Sequence, residues 1–286
     1  MSIDSVLGIN RRNIDYILAL NKREHFVYVD DKLVTKSMLD RHGIPSARLL
    51  GSTDSFFGID SFFDLLMHHR RFALKPARGS GGSGIAIVKD CPAGYWILAD
   101  GSKWDREKQR EHVQAILYGT FSLDTSGDVA FAESLIETHP DLLAFTEIGL
   151  PDVRIILHSG TPILSMLRVP TRKSSGKANL HSGGFAVGID LKTGITGAGW
   201  YRGKEITRHP ETGAPLQKRA IPFWNHLLGI SARLFELFPL GYMGVDFAID
   251  AHDGPLILEL NARPGLEIQN VTGCGLRSIL EGNAHE

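Results

Sequence analysis

The sequence predicts an α+β protein. Strand-like runs with Gly-rich joints cluster together, helical spacing appears in separate blocks, and the strict strand–helix alternation of a doubly wound parallel sheet is missing. The first block, Asn13–Leu20, has helical character and Phe26–Val29 reads as a strand. Lys32–Arg41 follows, with Leu33, Val34, Met38 and Leu39 at helical spacing, and Gly43 and Ile44-Pro45 form its stop signal. Asp60–His69 is a second helix. Strands are expected at Arg71–Lys75, Ile85–Lys89 and Tyr95–Ala99, then a helix at Asp105–Gly119. Val129–Glu133, Val153–His158 and Ile163–Val169 are again strands. Residues 171–184 form a polar, Gly/Ser-rich loop, Phe223–Phe238 carries a strong helical pattern, and Met243–Asp250 and Leu256–Asn261 flank the turn His252-Asp253-Gly254.

The 286 residues carry 31 Lys+Arg against 32 Asp+Glu, a net charge of -1, with 43% hydrophobic residues. A large buried core is affordable at that size, and the charge balance argues against a protein that coats nucleic acid or an anionic membrane. No apolar run approaches the ~20 residues that span a bilayer. The N-terminus has no signal-peptide pattern. Two cysteines, Cys91 and Cys274, are too few for a disulfide framework and form no metal-ligand cluster. A cytoplasmic protein is the expectation.

Two segments carry chemistry. In FALKPARGSGGSGIAIV, Lys75 ends a strand, and Gly79, Gly81, Gly82 and Gly84 join it to the next. Glycines let backbone N–H groups approach an anion, and a lysine at the loop base adds a point charge. Strand follows the glycines, so this is a flap between antiparallel strands and not a helix-opening P-loop. A plain hairpin loop is the alternative. In the second segment, Glu259 and Asn261 share one strand face. A tight hairpin centred between His252 and Asp253 would put Asp246 opposite Glu259, with Cβ atoms ~5 Å apart. Three hard oxygen donors would then suit Mg²⁺; the alternative is a solvated edge hairpin.

DDKLVTKSMLDRHGIPSA, ALKPARGSGGSGI, FAESLI, PDVRI, GKANLHSGG, GVDFAID and LELNARPG, in that order, resemble the ATP-grasp superfamily, and within it the α-L-glutamate ligase-like (RimK-like) branch. The resemblance implies an ATP-grasp fold, in which two α+β subdomains clasp ATP. Residues 1–31 would be a short N-terminal extension and 32–286 the ATP-grasp domain, with about 32–135 bearing the lysines and flap and about 136–286 the metal-binding strands. By the same resemblance, Lys36 and Lys75 reach ATP phosphates, with Gly81, Gly82 and Ser83 in the flap. Glu133, Ser134 and Leu135 line the adenine edge, Asp152 lies near the nucleotide, and Asn179 belongs to the NLxxGG loop. Asp246, Glu259 and Asn261 match metal ligands. Arg168, Lys177 and Arg263 are candidates for steadying the transferred phosphoryl group.

Two departures stand out. The stretch before Asp152 (ETHPDLLAFTEIGL) is long for that branch. A pre-grasp domain of ~100 residues, an ordinary small-domain size, usually precedes the first lysine. A full one is lacking here, so the substrate site would be open or completed by a homodimer or partner subunit. The implied activity is ATP-dependent carboxylate–amine ligation through an acyl phosphate, with ATP and Mg²⁺ or Mn²⁺ as cofactors. The substrates would be an amino acid such as glutamate and a peptide or small carboxylate. A small-molecule kinase and a nucleotide-binding regulatory subunit are the alternatives. The pair His68-His69 is expected to be structural, His181 to be an ordinary loop residue with substrate contact as the alternative, Trp224 to lie in the core or an interface, and Arg11-Arg12 to be solvated or to dock a partner.

Overall fold

The computed structural model describes residues 2–122 and 127–282. The chain divides into two compact units: a smaller one of residues 31–33 and 47–136, and a larger one of residues 1–30, 34–46 and 137–286. Residues 34–46, grouped on sequence with the flap, therefore fold with the larger unit, as does the N-terminal segment.

The smaller unit is built on a six-stranded sheet of β1 (Leu49–Thr53), β2 (Phe72–Pro76), β3 (Ala86–Asp90), β4 (Trp96–Leu98), β5 (Lys103–Trp104) and β6 (Ala130–Ser134). The spatial order is β1-β6-β2-β3-β4-β5 and every pairing is antiparallel. Two helices, Ile59–Leu66 and Arg106–Leu117, supply the apolar cover. The second opens at Asp105, whose carboxylate accepts the Lys108 N–H at 3.0 Å. It buries Gln109, Val113, Ile116 and Leu117, a single stripe at helical spacing. Trp96 meets Phe63 and Phe72 edge-on at 5.6 and 5.2 Å between ring centroids, the geometry the ring quadrupoles favour.

The larger unit carries a seven-stranded antiparallel sheet: β7 (Asp152–His158), β8 (Thr161–Val169), β9 (Phe185–Ile189), β10 (Thr196–Tyr201), β11 (Lys204–Ile206), β12 (Tyr242–Asp250) and β13 (Gly254–Asn261). Its order is β11-β10-β9-β8-β7-β12-β13. One face buries Val153, Ile155, Leu167, Val187, Val245 and Phe247 with Leu227, Ile230 and Leu234 of the helix Trp224–Leu237. Trp224 belongs to this core, its Nε1 donating to the Leu191 carbonyl at 3.0 Å. On the opposite face, Ile156, Leu164, Met166 and Tyr242 are covered by Leu7, Tyr16 and Ile17 and by Ile268, Val271 and Leu276 near the C-terminus. The N-terminal segment is thus core material. Arg12 is buried and not solvated, with Nη1 donating to the Pro264 carbonyl at 2.8 Å.

Three differences from the sequence reading have physical causes. Val27–Asp30 is helical where a strand was expected. The β-branched and aromatic run satisfies strand propensity, but Val29 packs into the core and the Thr35 hydroxyl bonds the Tyr28 carbonyl, so tertiary contacts override propensity. Strands β1, β5, β9, β10 and β11 were not anticipated. All five residues of β9 are buried, which removes the alternation that marks a half-exposed strand.

The third difference concerns the β12–β13 hairpin. Asp246 does lie directly opposite Glu259, but Asp250 pairs with Gly254, so the turn centres on His252. A bulge between the Asp246–Glu259 and Phe247–Ile257 pairs inserts Leu258 as an extra residue. The two one-residue departures cancel.

Candidate active site

Alternation on β7 sends Asp152 and Arg154 to one face and Val153 and Ile155 into the core behind it. In register, Arg168 of β8 lies opposite Asp152, Arg154 opposite Asp246, and Asp246 opposite Glu259. Four adjacent strands therefore carry a ladder of charged side chains, two arginines among three carboxylates. Arg168 Nε donates to Asp152 Oδ1 at 2.6 Å and its Nη2 to Asp246 Oδ2 at 2.7 Å. Arg154 meets Asp246 with two bonds, Nε to Oδ1 at 2.7 Å and Nη2 to Oδ2 at 2.6 Å, the fork geometry that favours Arg over Lys. Burial opposes charge on Asp246, but Arg154 and Arg168 outweigh it and hold its carboxyl below the usual range. Burial pushes Asp152 up to about 6, with Arg168 pulling the other way. Arg168 resists its own burial because Asp152, Asp246 and Glu259 surround it.

Arg154 was not singled out on sequence. Its signal was present in PDVRI: two residues beyond Asp152 on a strand, it had to share that face.

A divalent cation is tested against this arrangement by its donors. Asp246 and Glu259 face one another across the strand pair and Asn261 lies two residues further on. Among the described residues no group of three or more His, Cys, Asp and Glu side chains is placed to hold a metal ion; this set has two carboxylates and an amide. The Asn261 Oδ1 accepts the Arg263 N–H at 2.9 Å, which fixes the side chain. Hard oxygen donors of this kind, two carboxylates and an amide, fit Mg²⁺. Asp246, expected as a metal ligand, is engaged by two arginines as the chain stands.

In the smaller unit, β2 and β3 pair antiparallel and the glycines join them, as a flap requires. Gly81 and Gly82 adopt φ of +61° and +74°, a region open to glycine at no steric cost. Ser83 N bonds the Ser80 carbonyl at 3.1 Å and closes the flap turn. Lys75 on β2 forms a close ion pair with Glu133 on β6. Lys32 was read only as a helix opener, yet its Nζ donates to the Gly79 carbonyl at the flap base, 2.5 Å away. A cation in the first helical turn opposes the helix dipole, and that was the available signal for a role beyond helix formation. Lys36 is buried in the larger unit, with its Nζ donating to Ser46 Oγ at 3.3 Å.

Ser134 N bonds the Arg48 carbonyl at 2.8 Å and Ser134 Oγ accepts Arg48 N at 3.0 Å, so the end of β6 is held on the β1 side. Leu135 follows the strand and is half-buried.

The remaining expected residues belong to the same larger unit as the ladder. Arg263 ion-pairs with Asp30 at 3.1 Å and lies over the Phe26 ring, 4.5 Å from its centroid. Asn179 caps a short turn, Oδ1 accepting His181 N at 2.9 Å. Lys177 and His181 are exposed in the same loop. That loop is stitched internally: Thr171 Oγ1 donates to the Gly183 carbonyl and Ser174 Oγ to the Thr171 carbonyl, both at 2.9 Å. Among the described residues no helix is long and apolar enough to cross a membrane.

The family model described as sugar-transfer associated ATP-grasp matches residues 11–283, nearly the whole chain. The chain belongs to the sugar-transfer associated ATP-grasp family. The ATP-grasp expectation is thereby met, and the branch that matches is described by sugar transfer where the motifs resembled the RimK-like branch.

None of the curated proteins matches the sequence significantly. Among solved structures, D-alanyl-alanine synthetase A from Vibrio cholerae aligns with a TM-score of 0.51 at 14% identity, over 92% of this chain and 62% of that one. The ATP-grasp ligase PsnB, complexed with a phosphomimetic variant of its minimal precursor, Mg and ADP, aligns with a TM-score of 0.49 at 14% identity, over 92% and 59%. D-alanine–D-alanine ligase from Bacillus anthracis aligns at 0.48 and 14% identity, over 91% and 64%. This ATP-grasp chain spans about three fifths of the length of each of these three proteins, 59% to 64%.

Proposed function

We propose that this ATP-grasp protein is an ATP-dependent ligase that joins a carboxylate to an amine through an acyl phosphate. The observation that carries the proposal is the β8–β7–β12–β13 ladder, in which buried Arg154 and half-buried Arg168 share a sheet face with Asp246, Glu259 and Asn261. Amide formation from free ions in water is uphill, so ATP cleavage supplies the drive. The protein's own contribution is positioning and charge stabilisation. Lys32 and Lys75, at the base of the glycine flap, would bind phosphate oxygens, and the N–H groups of Gly81, Gly82 and Ser83 would bind them from the flap. Leu135, following β6, would meet the adenine edge.

Glu259, Asn261 and Asp246 would hold Mg²⁺, or Mn²⁺ in its place. When bound, that ion offsets phosphate charge as the carboxylate approaches. Arg154 and Arg168 would face the phosphoryl group in transfer, with Arg263, Lys177 and Asn179 nearer the organic substrates.

An amino acid such as glutamate joined to a peptide or small carboxylate is the substrate reading implied by the motif resemblance. A paired-arginine ladder suits any carboxylate. The sugar-transfer association of the family widens the screen to carboxylates and amines borne on sugars. The test is ATP turnover over pairs of amino acids, peptides and amino or carboxylated sugars, with mass spectrometry of products. ADP, phosphate and an amide together support the ligase; a phosphorylated product without an amide would replace it with a kinase.

A further inference from the structure

Asp246 is 1% exposed, Asp152 5% and Arg154 8%. In this dry setting Asp152 and Asp246 offset the two guanidinium groups, half-buried Glu259 lies opposite Asp246, and the three Asp246 contacts, at 2.6 to 2.7 Å, engage both of its oxygens. An ionised carboxylate has about four acceptor positions and the arginines take three of those on Asp246, so a divalent cation meets two guanidinium charges there and gains full approach only as an arginine gives way. A guanidinium displaced with nothing to pair with would be an uncompensated buried charge, which is strongly unfavourable. An anion arriving with the metal removes that penalty, because the displaced guanidinium can bond to it in the same fork geometry.

We propose that Arg154 and Arg168 act as internal counter-cations that make metal binding at Asp246 conditional on a phosphate-bearing ligand. The cation alone is refused, and cation and polyphosphate enter together. Arg154 is in this sense a positioning residue: it acts through Asp246, and its two-point grip sets how tightly the carboxylate is closed. This is a coupling between two ligands of the kind that thermodynamic linkage requires to be reciprocal. It rests on the nucleotide reading above.

The experiment measures Mn²⁺ binding by the electron paramagnetic resonance of the free ion, in the full chain, with and without ADP. Four proteins are compared: wild type, Arg154→Gln, Arg168→Gln and Arg154→Lys, each checked for native circular dichroism. ADP binding in the presence of Mn²⁺ is followed separately by calorimetry. With Mn²⁺ alone, the wild type binds weakly, and either Gln variant binds at least tenfold more tightly because one counter-cation is gone. Arg154→Lys keeps the charge and stays close to wild type, an outcome that mere loosening of the fold would not produce. If Mn²⁺-alone affinity is the same within twofold in wild type and both Gln variants while ADP and Mn²⁺ still bind together, the coupling is overturned and the nucleotide reading stands. If the wild type binds no ADP with Mn²⁺, the nucleotide reading fails and the coupling with it. Should one Gln variant not fold, the other and Arg154→Lys still decide the question.

Discussion

Gly149 and Gly176 lie back to back: a Cβ on Gly149 would sit 2.1 Å from the Gly176 carbonyl oxygen, and Gly149 itself adopts a φ of +75°. The contact locks the stretch preceding β7 onto the 171–184 loop. Two polar contacts flank it, Arg172 Nη2 to Glu147 Oε2 at 2.8 Å and Arg172 N to Glu211 Oε1 at 2.9 Å. The extra length before Asp152 therefore buttresses the loop. Gly149→Ala introduces both a left-handed alanine and an overlap with backbone, and the expected loss is about 2–5 kcal/mol. Arg172, Lys173 and Lys177 are exposed in the loop, so trypsin should cut there faster in the variant at temperatures where the rest of the chain is folded. A variant as stable and as resistant as wild type would show that the loop does not depend on this contact.

The N-terminal segment should prove indispensable. Asn21 Nδ2 donates to the Tyr242 carbonyl at 2.8 Å and Asn21 Oδ1 accepts Tyr242 N at 3.0 Å, both buried, so one side chain stands in for a strand neighbour at the start of β12. Asn21→Ala leaves two buried backbone groups without this partner, at a cost of about 2–4 kcal/mol. Urea denaturation measures the loss. A change below about 0.5 kcal/mol, the scatter of surface substitutions, would mean that this end of β12 is held by other contacts.

How far the sequence could be read follows from which signals are local. The Lys32–Arg41 helix was legible to the residue, because spacing and the Gly43 stop are local. Asp246 opposite Glu259 was read from an assumed turn centre between His252 and Asp253, and the pair holds because the bulge offsets the shifted turn. Strand β9 escaped notice because burial on both faces erases alternation, and β10, with Gly197 and Gly199, lacks side chains to carry a pattern. The arginine closure of Asp246 was out of reach for another reason: Arg154 and Arg168 lie 92 and 78 residues away, and only sheet order brings them together. Lys36 was singled out by the motif resemblance, and Lys32, four residues earlier, was not; it is Lys32 that contacts the flap base.

That contact yields a direct prediction. Lys32 is half-buried and its Nζ donates to the Gly79 carbonyl at the flap base, so Lys32→Met should lower nucleotide affinity while the chain stays folded by circular dichroism. Loss of a charged donor to phosphate should weaken ADP binding roughly tenfold or more, the equivalent of about 1.5–3 kcal/mol. Calorimetry with ADP and Mg²⁺ tests both the role and its separation from stability. Unchanged affinity in a folded Lys32→Met protein would remove Lys32 from the site.

His112 ties the flap to acid stability. Its Nε2 lies 2.9 Å from the Gly84 carbonyl, and its ring packs between Trp104 and Phe121, at centroid distances of 4.9 and 5.4 Å. Phe121 in turn fills the space that a Cβ on Gly84 would need. Burial lowers the His112 pKa, with the bond to Gly84 pulling modestly the other way. The folded value is thus below the ordinary ~6.5 of the unfolded chain, and the unfolded state takes up the proton first as pH falls. The stabilisation is complete above about pH 6.5 and is lost as pH drops from there through the lower folded value. His69, His158 and His209, also lowered by burial, act with the same sign. His112→Phe removes one such group, so urea midpoints of variant and wild type should converge or cross between about pH 8 and about pH 5. Parallel pH profiles for the two proteins would show that His112 is protonated as easily beneath the flap as in the unfolded chain.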